Sequence, residues 1–145
     1  MADIWILSAN ASRATIFSAA SPTAPLVEVE ALSNPEARVK QMDLVSDRPG
    51  RTFDSVGAGR HAKAVEVEPK QHEEMRFAKS IAERLEHARV ENAFERLVII
   101  AAPAFLGLLR AHFGAPLAAR VSQEIDKDYT ALRPEALRAR LPERL

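Results

Sequence analysis

Residues 96–110 read RLVIIAAPAFLGLLR, and the fold turns on this stretch. Leu97–Ile100 is an unbroken apolar run, which suits a strand covered on both faces rather than one with a wet side. Two alanines lead to Pro103. Proline cannot donate to a central ladder, but it suits the first turn of a helix, where its missing N–H has no partner anyway. Leu106, Leu109 and Phe113 then recur at helical spacing, and Gly114 stands where a helix would stop. The unit is a buried strand, a tight turn and an apolar helix. No side chain in it is equipped for chemistry.

Upstream, Gln71–Asn92 carries the strongest helical pattern. Phe77, Ala78, Ile81, Ala82, Leu85 and Ala88 make an apolar stripe, and Lys79, Glu83, Arg84 and Glu86 cover the outside. Glu73 and Glu74 fall near the start, where the helix dipole favours negative charge. Asp3–Ala9 (DIWILSA) predicts a strand buried on at least one face. Asn10-Ala11-Ser12 is turn chemistry. Arg13–Ala19 (RATIFSA) predicts a second strand, with Ala14, Ile16 and Ser18 on one face and Thr15, Phe17 and Ala19 on the other. The short connection makes these two an antiparallel hairpin. Leu26–Leu32 (LVEVEAL) alternates valine with glutamate and reads as a half-exposed strand near an edge.

Downstream, Ala119–Asp126 (ARVSQEID) sets Val121, Gln123 and Ile125 on one face and reads as a strand. Pro134 opens a last short helix with Leu137 and Leu141 inward. The expected architecture is α/β: one domain over residues 1–145, with a mixed sheet flanked by helices in the order β-β-β-loop-α-β-α-β-α.

Asn34–Lys70 breaks the pattern. It holds Pro35, Pro49 and Pro69 with Gly50, Gly57 and Gly59, and a patternless connection this long is unusual inside a compact domain. Its middle, DRPGRTFDSVGAGRHAK, sets Arg48, Arg51, Arg60, Lys63 and His61 against Asp47 and Asp54. The loop is basic in a chain whose 20 Lys+Arg and 20 Asp+Glu cancel, so any attraction to a polyanion is local rather than global. Ala64, Val65 and Val67 before Glu68 suggest one more small strand.

Composition narrows the chemistry. There is no cysteine, which removes disulfides, thiol catalysis and cysteine-based metal sites together. The apolar run Ile4–Leu7 is too short for a signal peptide and follows Asp3 rather than a basic region. No segment has the roughly 18 apolar residues a membrane helix needs. A cytoplasmic protein without membrane insertion is expected.

The motif candidates are weak. His72-Glu73-Glu74-Met75-Arg76 resembles a zinc-protease helix, but the always-charged Arg76 occupies the second histidine's place. His61, His87 and His112 have no ligand spacing. Gly57-Ala58-Gly59-Arg60 resembles the start of a phosphate loop without its later glycine or Lys-Ser/Thr. It reads either as a loop tip or as an anion or RNA contact with Arg51, Arg60 and Lys63. Asp43, Asp47, Asp54, Asp126 and Asp128 are too irregularly spaced to require a two-metal nuclease. Ser8, Ser12 and Ser55 lack a nucleophile-elbow context, and Asp128 and Thr130 suit the turn into the last helix. No metal and no cofactor is expected.

Several stretches together resemble the bacterial family of host attachment proteins, named as proteins required for attachment to host cells. They are DIWILSANASRATIF, the loop pair DRPGR and GAGRH, RFAKSIAERLEHA, FERLVIIAAPAFLGLLR and the terminal EIDKDYT, so the likeness runs over nearly the whole chain. That family in turn is similar to the middle domain of archaeal and eukaryotic peptide-chain release factors. The matching pieces here are the Pro49–Lys63 loop, Arg76-Phe77, Leu97–Ile100 and Ala104–Phe113. Release factors carry Gly-Gly-Gln in that loop for peptidyl-tRNA hydrolysis. This chain has Gly57-Ala58-Gly59-Arg60-His61 and no glutamine there, which argues against hydrolysis.

The resemblance implies a non-enzymatic protein whose basic loop contacts RNA, tRNA or the ribosome through Arg48, Arg51, Gly57, Gly59, Arg60, His61 and Lys63. The alternative is a protein-interaction factor in attachment to host cells or surfaces. A third reading, an RNA or tRNA ester hydrolase, requires convergent carboxylates or His61 beside an oriented partner.

Overall fold

A computed structural model describes residues 3–35 and 69–145. Its strands β1 (Ile4–Ala9), β2 (Arg13–Ala19), β3 (Val27–Ser33), β4 (Arg96–Ala101) and β5 (Val121–Ile125) form one sheet in the order β3-β2-β1-β4-β5. The helices are α1 (Pro69–Val90), α2 (Pro103–His112), α3 (Ala115–Ala118) and α4 (Pro134–Ala139). β1 pairs antiparallel with β2, and β2 with β3; β1 pairs parallel with β4, and β4 with β5. The mixed α/β sheet expected from the sequence is present. Among the described residues no helix is long and apolar enough to cross a membrane.

β1 and β4 lie at the centre, and their alternation feeds two cores. Trp5, Leu7, Ile16, Leu97 and Ile99 pack against Phe77, Ile81 and Leu85 of α1 and Phe105 and Leu109 of α2. Ile4, Ile6, Phe17, Val98 and Ile100 pack on the other face against Leu137, Leu141 and Leu145. Both faces of β1 and β4 are therefore dry, which explains why neither strand shows a polar alternation. Each of Ile81, Leu85 and Leu109 is fully buried, contributing about 1.5–3 kcal/mol as an upper value.

Four local expectations change. α1 begins at Pro69, so Glu73 and Glu74 fall beyond its first turn, which holds no acidic side chain. The dipole contact expected of them is weak, because that effect fades within a turn. α2 ends at His112 with Phe113 as its cap, so a helix does stop at Gly114 as expected, but Gly114 (φ −74°) also opens α3, a short helix the sequence pattern did not reveal. In β5 the register steps from Leu97↔Val121 to Val98↔Gln123, leaving Ser122 over. That bulge turns Val121 to the first core and Ile125 to the second, so they do not share a face as the alternation implied. In β3 the register steps from Ile16↔Glu30 to Phe17↔Glu28, leaving Val29 without a partner on β2. β3 is the outermost strand, as expected, but its valines are the exposed part: Val27 is 61% and Val29 41% accessible.

The end of α1 is settled by Asn92. It takes φ 59°, in the left-handed region that asparagine tolerates. Ala93 N donates to Ala88 O at 2.9 Å and Asn92 N to Arg89 O at 2.9 Å, a Schellman pairing that satisfies two end carbonyls. The chain then turns sharply enough for Phe94 to enter the core before β4 begins.

Candidate functional site

The parallel strands β1, β4 and β5 end on one edge of the sheet. The chain leaves β1 toward β2, but leaves β4 in the opposite direction, through α2 and α3 to β5. In open α/β sheets the crevice at such a divergence is where ligands bind. The polar side chains gathered there make it the first place to look for function.

Asn10 follows β1 directly. Its Oδ1 accepts from Ser12 N at 2.8 Å and Arg13 N at 3.0 Å, which closes the turn into β2. Its Nδ2 donates to Asp128 Oδ2 at 2.9 Å and to Thr130 Oγ1 at 3.1 Å. Thr130 in turn donates to Asp128 Oδ1, from its backbone N at 3.0 Å and from its hydroxyl at 2.7 Å. Asn34 braces the same turn, with N to Ser12 O at 2.9 Å and Nδ2 to Ala11 O at 3.0 Å. The group is a clasp: it fastens the β1–β2 turn to the connection between β5 and α4. Asp128 and Thr130 do serve the approach to the last helix, as their residue types suggested, and they also reach across the edge to β1.

Two features of this edge have chemical consequences. The Ser8 hydroxyl is buried beside Thr15 and Ile100 and has no hydrogen-bond partner among the described residues. Asp128 is exposed, yet the protein around its carboxyl still strips some water and works against ionisation; hydrogen bonds from Asn10 and Thr130, with Arg13 nearby, outweigh this and hold the carboxyl below its ordinary range. A depressed carboxyl pKa stabilises the fold above the unfolded value and loses that contribution as pH falls through the folded value. Wild-type stability is therefore expected to drop below about pH 4, and Asp128→Asn to flatten that part of the profile, read from thermal midpoints across an acid series.

Two grooves flank α1. A cavity of about 350 Å³ lies between the end of β3 and α1, lined by Leu32, Asn34, Pro35, Arg76, Phe77 and Ser80. A more open one of about 510 Å³ lies between α1 and the α2–α3 corner and includes His87 and His112. His87 Nε2 is 3.3 Å from the Glu91 carboxylate, and His112 Nδ1 donates to Leu108 O at 3.0 Å. Among the described residues no three His, Cys, Asp or Glu side chains are grouped to hold a metal ion. His72 and Arg76 are both exposed on α1, and Asp126 and Asp128 are exposed at the strand ends.

On the β3 side, Arg84 Nε donates to Glu30 Oε1 at 2.7 Å while its guanidinium sits 5.6 Å from the Trp5 ring centre. This joins α1 to the outer strand across the first core.

Arg48, Arg51, Gly57, Gly59, Arg60, His61 and Lys63 lie outside the described residues, as do Asp43, Asp47, Asp54, Ser55 and the short strand expected at Ala64, Val65 and Val67. The sequence reading missed the clasp. Asn10 was legible as a turn residue, and Asp128 and Thr130 as a helix approach, but no local signal joins residues so far apart in the chain.

A family model described as "Protein required for attachment to host cells" matches residues 5–141. A search of curated proteins finds no match. Among solved structures, a chain of a "PilM-PilN type IV pilus biogenesis complex" is similar at 14% identity with a TM-score of 0.40. The match covers 97% of this chain but only 42% of that one. A likeness of that size says nothing about activity, and none of these findings bears on the release-factor resemblance.

Proposed function

The chain belongs to the family of proteins required for attachment to host cells, and from that membership we propose that it serves attachment by binding a protein partner rather than by catalysis. The family match over residues 5–141 carries this reading. The clasp is consistent with it: Asn10, Asp128 and Thr130 spend their hydrogen bonds on one another, so they brace the edge rather than wait for a substrate. Affinity capture on the full chain, with nuclease added, is the test. A protein that stays bound after nuclease supports the reading, and an eluate without protein overturns it.

A second reading rests on one feature of the sequence, the local charge of Arg48, Arg51, Arg60 and Lys63 against Asp47 and Asp54. It is contact with RNA, tRNA or the ribosome through that stretch, with Gly57, Gly59 and His61 beside the cations. In the same capture, nucleic acid would then appear when nuclease is omitted. It would fall steeply with added salt and vanish when Arg51, Arg60 and Lys63 become alanine.

A further inference from the structure

We propose that the outer edge of β3 is a docking site for an extended, cationic segment of a partner protein, which adds to the sheet as a further strand. This rests on the reading above that the chain acts through a protein partner.

β3 is the last strand on its side, and among the described residues no strand pairs with its outer edge. Asn34 N donates to Ser12 O at 2.9 Å, which fixes the phase of the antiparallel ladder. Counting back by twos, Leu32 with Ala14 and Glu30 with Ile16 are the hydrogen-bonded pairs. Ala31 and Ser33, opposite Thr15 and Arg13, therefore turn their backbone N–H and C=O groups away from β2. These are the groups through which an added strand binds.

Edge strands are ordinarily guarded by lysine, proline or a bulge. β3 has a bulge at Val29 but no Lys, Arg or Pro between Val27 and Ser33. It exposes two valines instead, and they are two of the four large hydrophobic side chains exposed among the described residues.

Charge selects the occupant. Glu30 is already paired with Arg84, while Glu28 is exposed beside the two valines with no ion pair given to it by any described residue. A second copy of this chain would bring another β3 with its own Glu28 and no Lys or Arg, so it offers Glu28 no counter-charge. A segment alternating aliphatic or β-branched residues with Lys or Arg would meet the valines and place a cation opposite Glu28. Opposite charges directly across a strand pair attract, and like charges repel.

The test uses the full chain, isotope-labelled for NMR, with three synthetic probes of eight residues. One alternates valine or threonine with lysine, one replaces each lysine with glutamate, and one is the lysine peptide N-methylated along a single edge. The expected result is that the lysine peptide slows amide exchange at Ala31 and Ser33, while the other two bind on the order of tenfold more weakly. Ala31→Pro should abolish protection at Ser33 and keep the folded spectrum, because proline is tolerated where an edge N–H faces solvent. Glu28→Lys should weaken the lysine peptide by on the order of fivefold. Equal binding of the glutamate peptide, perturbation confined elsewhere, or protection at Ala31 and Ser33 that rises with the concentration of the chain alone would each overturn the proposal. If affinity capture yields a protein and the Ala31→Pro bait keeps it, the edge is wrong and the proposed function stands. If capture yields no protein, the function fails, and the peptide result still reports on the edge.

Discussion

Phe94→Ala is expected to destabilise the protein by about 3–5 kcal/mol, the range for emptying a large aromatic site in a dry core. Phe94 is 1% accessible and lies in the first core with Trp5, Leu7 and Leu97. Its ring centre is 5.2 Å from that of Trp5, tilted by 34°. Pairs of this kind add about 0.5–1.5 kcal/mol beyond their buried area. The surrounding backbone is pinned on two sides: Arg120 donates to Phe94 O at 2.9 Å, and Glu95 N donates to Asp3 O at 2.8 Å. A chain held this way cannot collapse into the space, so the upper half of the range applies. Urea denaturation should show a lower midpoint with little change in slope. A loss below about 1 kcal/mol would mean that the ring is not buried as described.

The same residue shows where sequence reading succeeds and where it stops. Leu97–Ile100 announced a strand dry on both faces, and the stripe from Phe77 to Ala88 announced the helix that covers one of them, because period and hydrophobicity are local quantities. Phe94 sits between those elements, outside either period, and its burial follows from the left-handed turn at Asn92. The bulges at Ser122 and Val29 were equally hidden. A bulge is a mismatch between two strands, and neither strand records it alone. Its effect was nonetheless large: it sent Val121 and Ile125 to opposite cores and left a strand read as half-exposed with its valines outward. The clasp escaped for the same reason, since Asn10 meets Asp128 and Thr130 only once the sheet order is known.

Asn10→Ala should cost about 1–2 kcal/mol, more than a surface asparagine ordinarily would. It removes two side-chain donations, one of them to a carboxylate, and orphans Ser12 N and Arg13 N in the turn. Bonds to charged groups are the stronger kind, while Ser12 N and Arg13 N are exposed and pass to water, which keeps the loss modest. Asn10→Asp separates these contributions. The new carboxylate still accepts from Ser12 N and Arg13 N, so the turn is kept. It cannot donate, and it faces the Asp128 carboxylate, so the two charges raise each other's pKa. A raised carboxyl pKa destabilises the fold at neutral pH and relaxes as the pair takes up a proton. Asn10→Asp should therefore gain stability between pH 7 and about pH 4, whereas this site in the wild type is flat over that interval and weakens only below it. Thermal midpoints of both proteins at the two pH values decide the matter. Parallel profiles would mean that Asn10 holds only its own turn and that the edge of the sheet is not fastened to the β5–α4 connection through Asp128.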